Sequence, residues 1–159
     1  MTPIAAVKSV FTKYATFRGT ASRPEYWWWT LFSVVVTGVI NAFQGDLDNP
    51  NTAASTLGLV WAVGTLIPGL AVTVRRFHDA GFSGKWLFTL LIPVIAFIVS
   101  ITQIAELFFD NDLAIDADTI LSVAGALAPA ILLLLAVGIF QLVLTLLPTK
   151  TAEQGNKYA

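Results

Sequence analysis

The 159-residue chain has no cysteine, one histidine and one methionine, and only 12% of its residues are charged. The missing cysteines exclude a disulfide framework, thiolate metal sites and cysteine nucleophiles, and one imidazole excludes a histidine cluster within a single protomer. The shortage of charge excludes an ordinary soluble surface, since soluble domains carry about 25% charged residues. In their place stands a 56% hydrophobic composition with a mean hydropathy of +0.75. A soluble fold of this length has no interior large enough for that much apolar surface. The expectation is a single all-α integral membrane domain over residues 1–159 with short extramembrane parts.

Four uncharged apolar runs approach the roughly 20 residues needed to cross about 30 Å of hydrocarbon. They are Trp27 to Phe43, Leu57 to Val74, Trp86 to Ile104 and Ile120 to Leu147. An ionisable side chain at mid-span would cost about 2.5–3.5 kcal/mol, and these runs contain none. Pro68, Pro93 and Pro129 fall inside them, where a membrane helix accommodates proline as a kink.

Lysine and arginine set the orientation, because short cytoplasmic loops retain the positive charge. Lys8, Lys13, Arg18 and Arg23 precede the first span; Arg75, Arg76 and Lys85 lie between spans two and three; Lys150 and Lys157 follow the fourth. The loops 44–56 and 105–119 contain no basic residue, but they hold Asp46, Asp48, Glu106, Asp110, Asp112, Asp116 and Asp118. That segregation places both termini, the hairpin 75–85 and the tail 148–159 in the cytoplasm. It also supports an even number of crossings.

The first 26 residues lack the apolar core and cleavage site of a secretory leader. Instead Ile4, Val7, Phe11 and Tyr14 recur at helical spacing after a Thr2-Pro3 start. This segment reads as an amphipathic helix, lying either at the inner headgroup boundary with its lysines on anionic lipid or against the cytoplasmic end of the bundle. Next, Ser22 and Glu25 have capping-box spacing, Pro24 suits a first helical turn, and Tyr26, Trp27, Trp28 and Trp29 form an aromatic interface anchor.

The stretch from Arg75 to Trp86 is the densest in polar chemistry. Arg75, Arg76 and His78 suit the C-terminal end of a helix, Gly81 suits the left-handed residue that ends it, and Ser83 suits the cap of the next. Asp79 is unfavourable in a last turn and needs a tertiary partner, for which Arg18 and Arg23 are the expected candidates. A Ser83–His78–Asp79 triad is disfavoured, because adjacent side chains on a helix diverge by about 100° and no Gly-x-Ser-x-Gly elbow is present. One His and one Asp fall short of a metal site, no cofactor is indicated, and the basic residues fit topology and lipid phosphate better than nucleic acid.

These motifs resemble those of the domain of unknown function 805 family of small bacterial inner-membrane proteins. The resemblance rests on Phe17-Arg18-Gly19-Thr20-Ala21-Ser22-Arg23-Pro24-Glu25-Tyr26-Trp27, on Arg75-Arg76-Phe77-His78-Asp79-Ala80-Gly81-Phe82-Ser83-Gly84, and on Gly155-Asn156-Lys157-Tyr158-Ala159. Thr20 stands where the family usually has Arg, Lys85 where an aromatic is common, and Ala159 where Gly is usual. The resemblance implies a multi-pass protein of the bacterial plasma membrane and implies no established activity.

All three motifs fall on the cytoplasmic face of the expected topology. Arg18, Arg23, Glu25, Arg75, Arg76, His78, Asp79, Ser83, Lys85, Asn156 and Tyr158 therefore form one candidate surface. It would bind an anionic lipid headgroup or a partner protein, in a non-catalytic, envelope-organising role, or it would only clamp the helices together. Homo-oligomerisation or a membrane-protein partner fits the same surface. A small oligomeric channel or transporter component is the alternative, and a membrane enzyme acting on lipid headgroups finds the least support.

Overall fold

The computed structural model describes residues 1–46, 49–110 and 117–158. Asp48, Asp112, Asp116 and Ala159 lie outside the described residues, as do the side chains of Asp46 and Asp110. Five α-helices dominate: α1 (Pro3–Thr12), α2 (Arg23–Ala42), α3 (Thr52–Asp79), α4 (Leu91–Asp110) and α5 (Ala117–Leu146). Between α2 and α3, β1 (Gly45–Asp46) and β2 (Asn49–Pro50) pair antiparallel, with Gly45 opposite Pro50. The chain divides into two compact units, residues 1–84 with 145–159, and residues 85–144.

Among the described residues, three helical stretches are long and apolar enough to cross a membrane: Thr52–Asp79, Gly84–Glu106 and Ala117–Leu146. They cover the second, third and fourth expected spans. The first expected span coincides with the 20-residue α2, which is not among the three. The physical reason lies in its opening turns, where Arg23, Glu25, Tyr26 and a run of tryptophans replace aliphatic residues with charged and interfacial ones.

In the first unit, α1 starts as its sequence indicates: Thr2 caps it by accepting from Ala5 N at 3.3 Å, with Pro3 in the first turn. Its buried face is Ala6 and Val10, however, while Ile4 is 82% exposed and Phe11 is 41% exposed. The helix is thus packed against α2 on its small residues, and part of the predicted apolar stripe faces outward. Phe11 meets Trp29 edge to face at 5.2 Å, and Tyr14 Oη donates to the Gly64 carbonyl of α3 at 2.6 Å. Val10, Ala21, Trp29 and Val72 form a small buried cluster that joins α1, α2 and α3.

In the second unit, the third expected span does not begin as an α-helix. Gly84–Leu90 is a 3-10 helix, and the α-helical part begins only at Leu91. Pro93 has no N–H to donate back to residue 89, so a regular ladder cannot run through this turn. Pro68 and Pro129 are carried inside continuous helices. Ser100 Oγ bonds the Ala126 carbonyl across α4 and α5 at 2.6 Å, and Gln141 Nε2 donates to Trp86 O at 3.0 Å and to Thr89 Oγ1 at 2.8 Å.

Candidate functional site: a buried ion-pair clamp

The hairpin that carries the candidate residues is shaped by the end of α3. Gly81 has φ +83°, a conformation that costs a residue with a Cβ roughly 1–2 kcal/mol. Phe82 N donates to Phe77 O at 2.8 Å and Gly81 N to His78 O at 2.9 Å, the paired bonds of a Schellman ending. This turn fixes the last residues of α3, including Arg75, Arg76, His78 and Asp79.

Arg75 and Arg76 are both enclosed, with side-chain exposures of 1% and 0%. Arg75 Nη1 donates to Glu25 Oε1 of α2 at 2.9 Å, and Ser9 Oγ of α1 donates to the same oxygen at 3.0 Å. Glu25 was expected to complete a capping box with Ser22. Only half of the box forms: Ser22 Oγ accepts from Glu25 N at 3.4 Å, while the carboxylate is engaged by Arg75 and Ser9. The backbone adds a tie, Ala21 N to Arg75 O at 3.0 Å. Arg75 Nε and Nη2 are buried without a partner among the described residues.

Arg76 turns the other way. Its Nη1 pairs with Asp79 Oδ2 on its own helix, its Nη2 donates to Leu147 O, and its Nε donates to Thr145 O at 2.9 Å. These carbonyls belong to the C-terminal end of α5, whose last turn contains no basic residue of its own. The last carbonyls of a helix lack intrahelical partners and attract cations, and Arg76 supplies one from α3. Arg23 supplies a second, donating from Nε to Leu147 O at 3.0 Å.

The expected pairing of Asp79 with Arg18 or Arg23 is therefore corrected. Asp79 takes Arg76 three residues before it, together with Thr149 Oγ1 at 2.7 Å. Arg23 was already committed to the end of α5, and Arg18 is exposed.

The tail folds back on this hairpin. Lys150 N donates to Asp79 O at 2.9 Å, and Asn156 Nδ2 donates to both His78 O and Lys150 O at 2.9 Å. Tyr158 stacks on the His78 ring, with centroids 4.0 Å apart and planes 10° apart. His78 Nδ1 meets the Gly19 carbonyl at 3.2 Å, which ties the N-terminal segment to the same place. His78 and Asp79 are thus each engaged elsewhere, and the Asp–His contact that a triad needs is not among the described bonds.

Of the eleven candidate residues, Arg23, Glu25, Arg75, Arg76, His78, Asp79, Asn156 and Tyr158 are joined by these bonds and stacks. Arg18 lies exposed in the bend leading into α2, and half-buried Ser83 immediately precedes the 3-10 helix. Lys85 is exposed and begins the second unit. Sequence reasoning missed Ser9, Thr145, Leu147 and Thr149. Two of these four, Thr145 and Leu147, act through backbone carbonyls, which side-chain motifs do not reveal.

Arg75 and Arg76 are balanced by Glu25 and Asp79, so the buried quartet is electrically neutral. Breaking one buried pair leaves an uncompensated charge at a cost of about 3–5 kcal/mol. The quartet holds α2, α3, the end of α5 and the tail in one unit.

The exposed cations are Lys8, Lys13, Arg18, Arg23, Lys85, Lys150 and Lys157, the first three in the segment that precedes α2. Lys8 also lines a groove of about 470 Å³ between α1 and α2, together with Pro3, Ile4, Val7, Trp28, Leu31, Phe32 and Val35.

No solved structure matches this chain. It is similar to inner membrane protein YhaI of Escherichia coli K12, with 35% identity over 91 residues, 57% of this chain and 75% of the relative. Inner membrane protein YhaH of the same strain is 31% identical over 93 residues, 58% of this chain and 77% of the relative. The uncharacterized protein YiiR of that strain is 32% identical over 79 residues, half of the relative's length. The family described as "Protein of unknown function (DUF805)" matches residues 14–159, which take in all three motifs of the clamp, and this chain belongs to that family.

Proposed function

We propose that this chain is a non-catalytic inner-membrane protein that binds anionic phospholipid at its cytoplasmic face. In this reading it crosses the bilayer four times, with both termini and the hairpin 75–85 in the cytoplasm. The names of YhaI and YhaH support the compartment. The placement of every lysine and arginine outside the loops 44–56 and 105–119 supports the orientation. At 20 residues α2 has the length of a crossing.

The α1–α2 groove carries the lipid reading. It offers an apolar channel alongside a transmembrane segment, with an exposed ammonium at Lys8. An acyl chain fits the apolar lining and a phosphate fits the lysine. A basic residue near an anionic surface contributes about 1 kcal/mol. Lipid recognition thus moves from the enclosed arginines to the outer face of α1, and the quartet's part is to hold α1 in place through Ser9 and Glu25.

Native mass spectrometry from nanodiscs containing phosphatidylglycerol and phosphatidylcholine tests this. Lys8→Gln is expected to lower phosphatidylglycerol retention about fivefold, the equivalent of roughly 1 kcal/mol, and to leave phosphatidylcholine unchanged. Equal retention of phosphatidylglycerol by wild type and variant would remove the lipid reading.

A further inference from the structure

A second feature of the first unit is independent of the lipid reading. Ser33, Thr37 and Asn41 stand at i, i+4 and i+8 and so share one side of α2, and Gln44 extends that side past the helix end. Gly58, Trp61 and Thr65 stand at i, i+3 and i+7 on α3. With Ile40 and Ala62 these residues line a cavity of about 220 Å³. It occupies the half of the helix pair away from Arg23 and Arg75.

Trp61 Nε1 donates to Thr37 Oγ1 at 3.0 Å, and Thr65 Oγ1 donates to Trp61 O at 2.7 Å. Ser33 Oγ is buried and has no partner among the described residues. Gly58 lets the Gln44 carboxamide lie close against α3, since a Cβ there would stand 2.8 Å from Gln44 Nε2 and 3.4 Å from Ile40 Cγ2. No lining residue carries a charge.

Dry cavities in proteins are apolar, whereas a roomy cavity that offers two to four polar partners takes up water. In hydrocarbon an unpaired hydroxyl costs free energy that water or a ligand oxygen removes. Interhelical bonding alone accounts for Thr37 and Trp61, but it leaves Ser33 unsatisfied and the volume unfilled. The lining also sets the class of occupant. Hydroxyls and carboxamides donate and accept, the indole gives a flat wall, and an ion would lose its hydration without a countercharge.

We propose that α2 and α3 form a hydrated binding site for small uncharged hydrogen-bonding molecules, of about the size of glycerol or urea. The site opens past Thr37, Asn41 and Ala62, which are exposed, and ends on Ser33 Oγ, which is buried.

The natural chain has no cysteine, so Ser33→Cys creates a unique thiol in the full-length protein in nanodiscs. Val34→Cys is the control, at the same depth and 63% exposed on the outer surface of the helix. Neutral methyl methanethiosulfonate is expected to label position 33 at least tenfold faster than position 34. At position 33 it is expected to outpace cationic and anionic methanethiosulfonates at least tenfold, after normalisation to a free thiol. Gly58→Val, which collides with the Gln44 carboxamide and rearranges that wall of the cavity, should slow labelling at 33 and leave 34 unchanged. Thr37→Cys provides the same comparison if Ser33→Cys does not fold.

Equal rates at 33 and 34 would overturn the proposal. Charged reagents that reach position 33 as fast as the neutral one would overturn it as well, because the site would then not select for uncharged molecules.

Discussion

Glu25 on α2 and Arg75 on α3, fifty positions apart in the chain, meet at 2.9 Å with side-chain exposures of 7% and 1%. A pair this enclosed has a cost structure unlike that of a surface salt bridge: removing one partner strands the other charge away from water. Glu25→Leu and Arg75→Met are each expected to destabilise the protein by about 3–5 kcal/mol. The double variant Glu25→Leu/Arg75→Met, which removes both charges and keeps volume, should recover most of that loss. Denaturant unfolding in detergent, run as a double-mutant cycle, checks this, and purely additive losses would contradict it.

The end of α5 has no cation in its own last turn and takes Arg76 and Arg23 from elsewhere. Arg76→Lys keeps the charge but cannot span Thr145 O, Leu147 O and Asp79 together, because one ammonium replaces a planar fork of donors. A loss of about 2 kcal/mol or more is expected in the same unfolding assay. Arg23→Lys, at an exposed position with a single bond to Leu147, should lose less than about 1 kcal/mol.

The tail is held by neutral groups. Asn156→Ala removes the donors to His78 O and Lys150 O and the acceptor of Tyr158 N. Trypsin cleavage after Lys150 in detergent-solubilised protein should accelerate about fivefold or more, as expected when bonds of roughly 1 kcal/mol each are lost. Lys157→Ala, which removes only a cation above the Tyr158 ring, should leave that rate unchanged.

Gly81→Ala should cost roughly 1–2 kcal/mol, because φ +83° is strained for any residue with a Cβ. The added Cβ would also stand 3.0 Å from Lys150 Cδ, at the edge of the docked tail. Gly81→Asn, which tolerates the left-handed region better, should lose less. Thermal melts of the two variants side by side give the ranking, and an equal loss would contradict it.

In the second unit, Ser100→Ala removes the bond to Ala126 O. Hydrogen bonds between membrane helices average about 0.6 kcal/mol, so only a small shift in an SDS unfolding curve is expected.

The places of the long helices were legible because charge and apolar character segregate so completely along the chain. The Gly81 turn was legible because glycine suits the left-handed end of a helix better than any other residue. The register of α1 was not. Ile4, Val7, Phe11 and Tyr14 form the larger apolar stripe, but close packing of α1 on α2 selects the small residues Ala6 and Val10. The motifs identified the members of the clamp and misassigned their partners. Glu25 satisfies a local capping pattern and a distant arginine equally well on paper, and the buried charge on Arg75 decides between them. Arg76 finds backbone carbonyls at the end of α5, for which no side-chain pattern exists. The stripe Ser33, Thr37 and Asn41 did leave a signal, neutral polar residues at i, i+4 and i+8 within an apolar run, but a search for charged groups passes over it.

The measurement that tests the account most directly is the side of the membrane on which residues 75–85 and the tail are found. With a paired fluorescent and phosphatase reporter, fusions after Gly84 and after Tyr158 should fluoresce in the cytoplasm, and fusions after Gly45 and within 111–116 should show periplasmic phosphatase activity. Periplasmic activity after Tyr158 would contradict the even number of crossings, and with it the assignment of α1, its groove and the clamp to the cytoplasmic face.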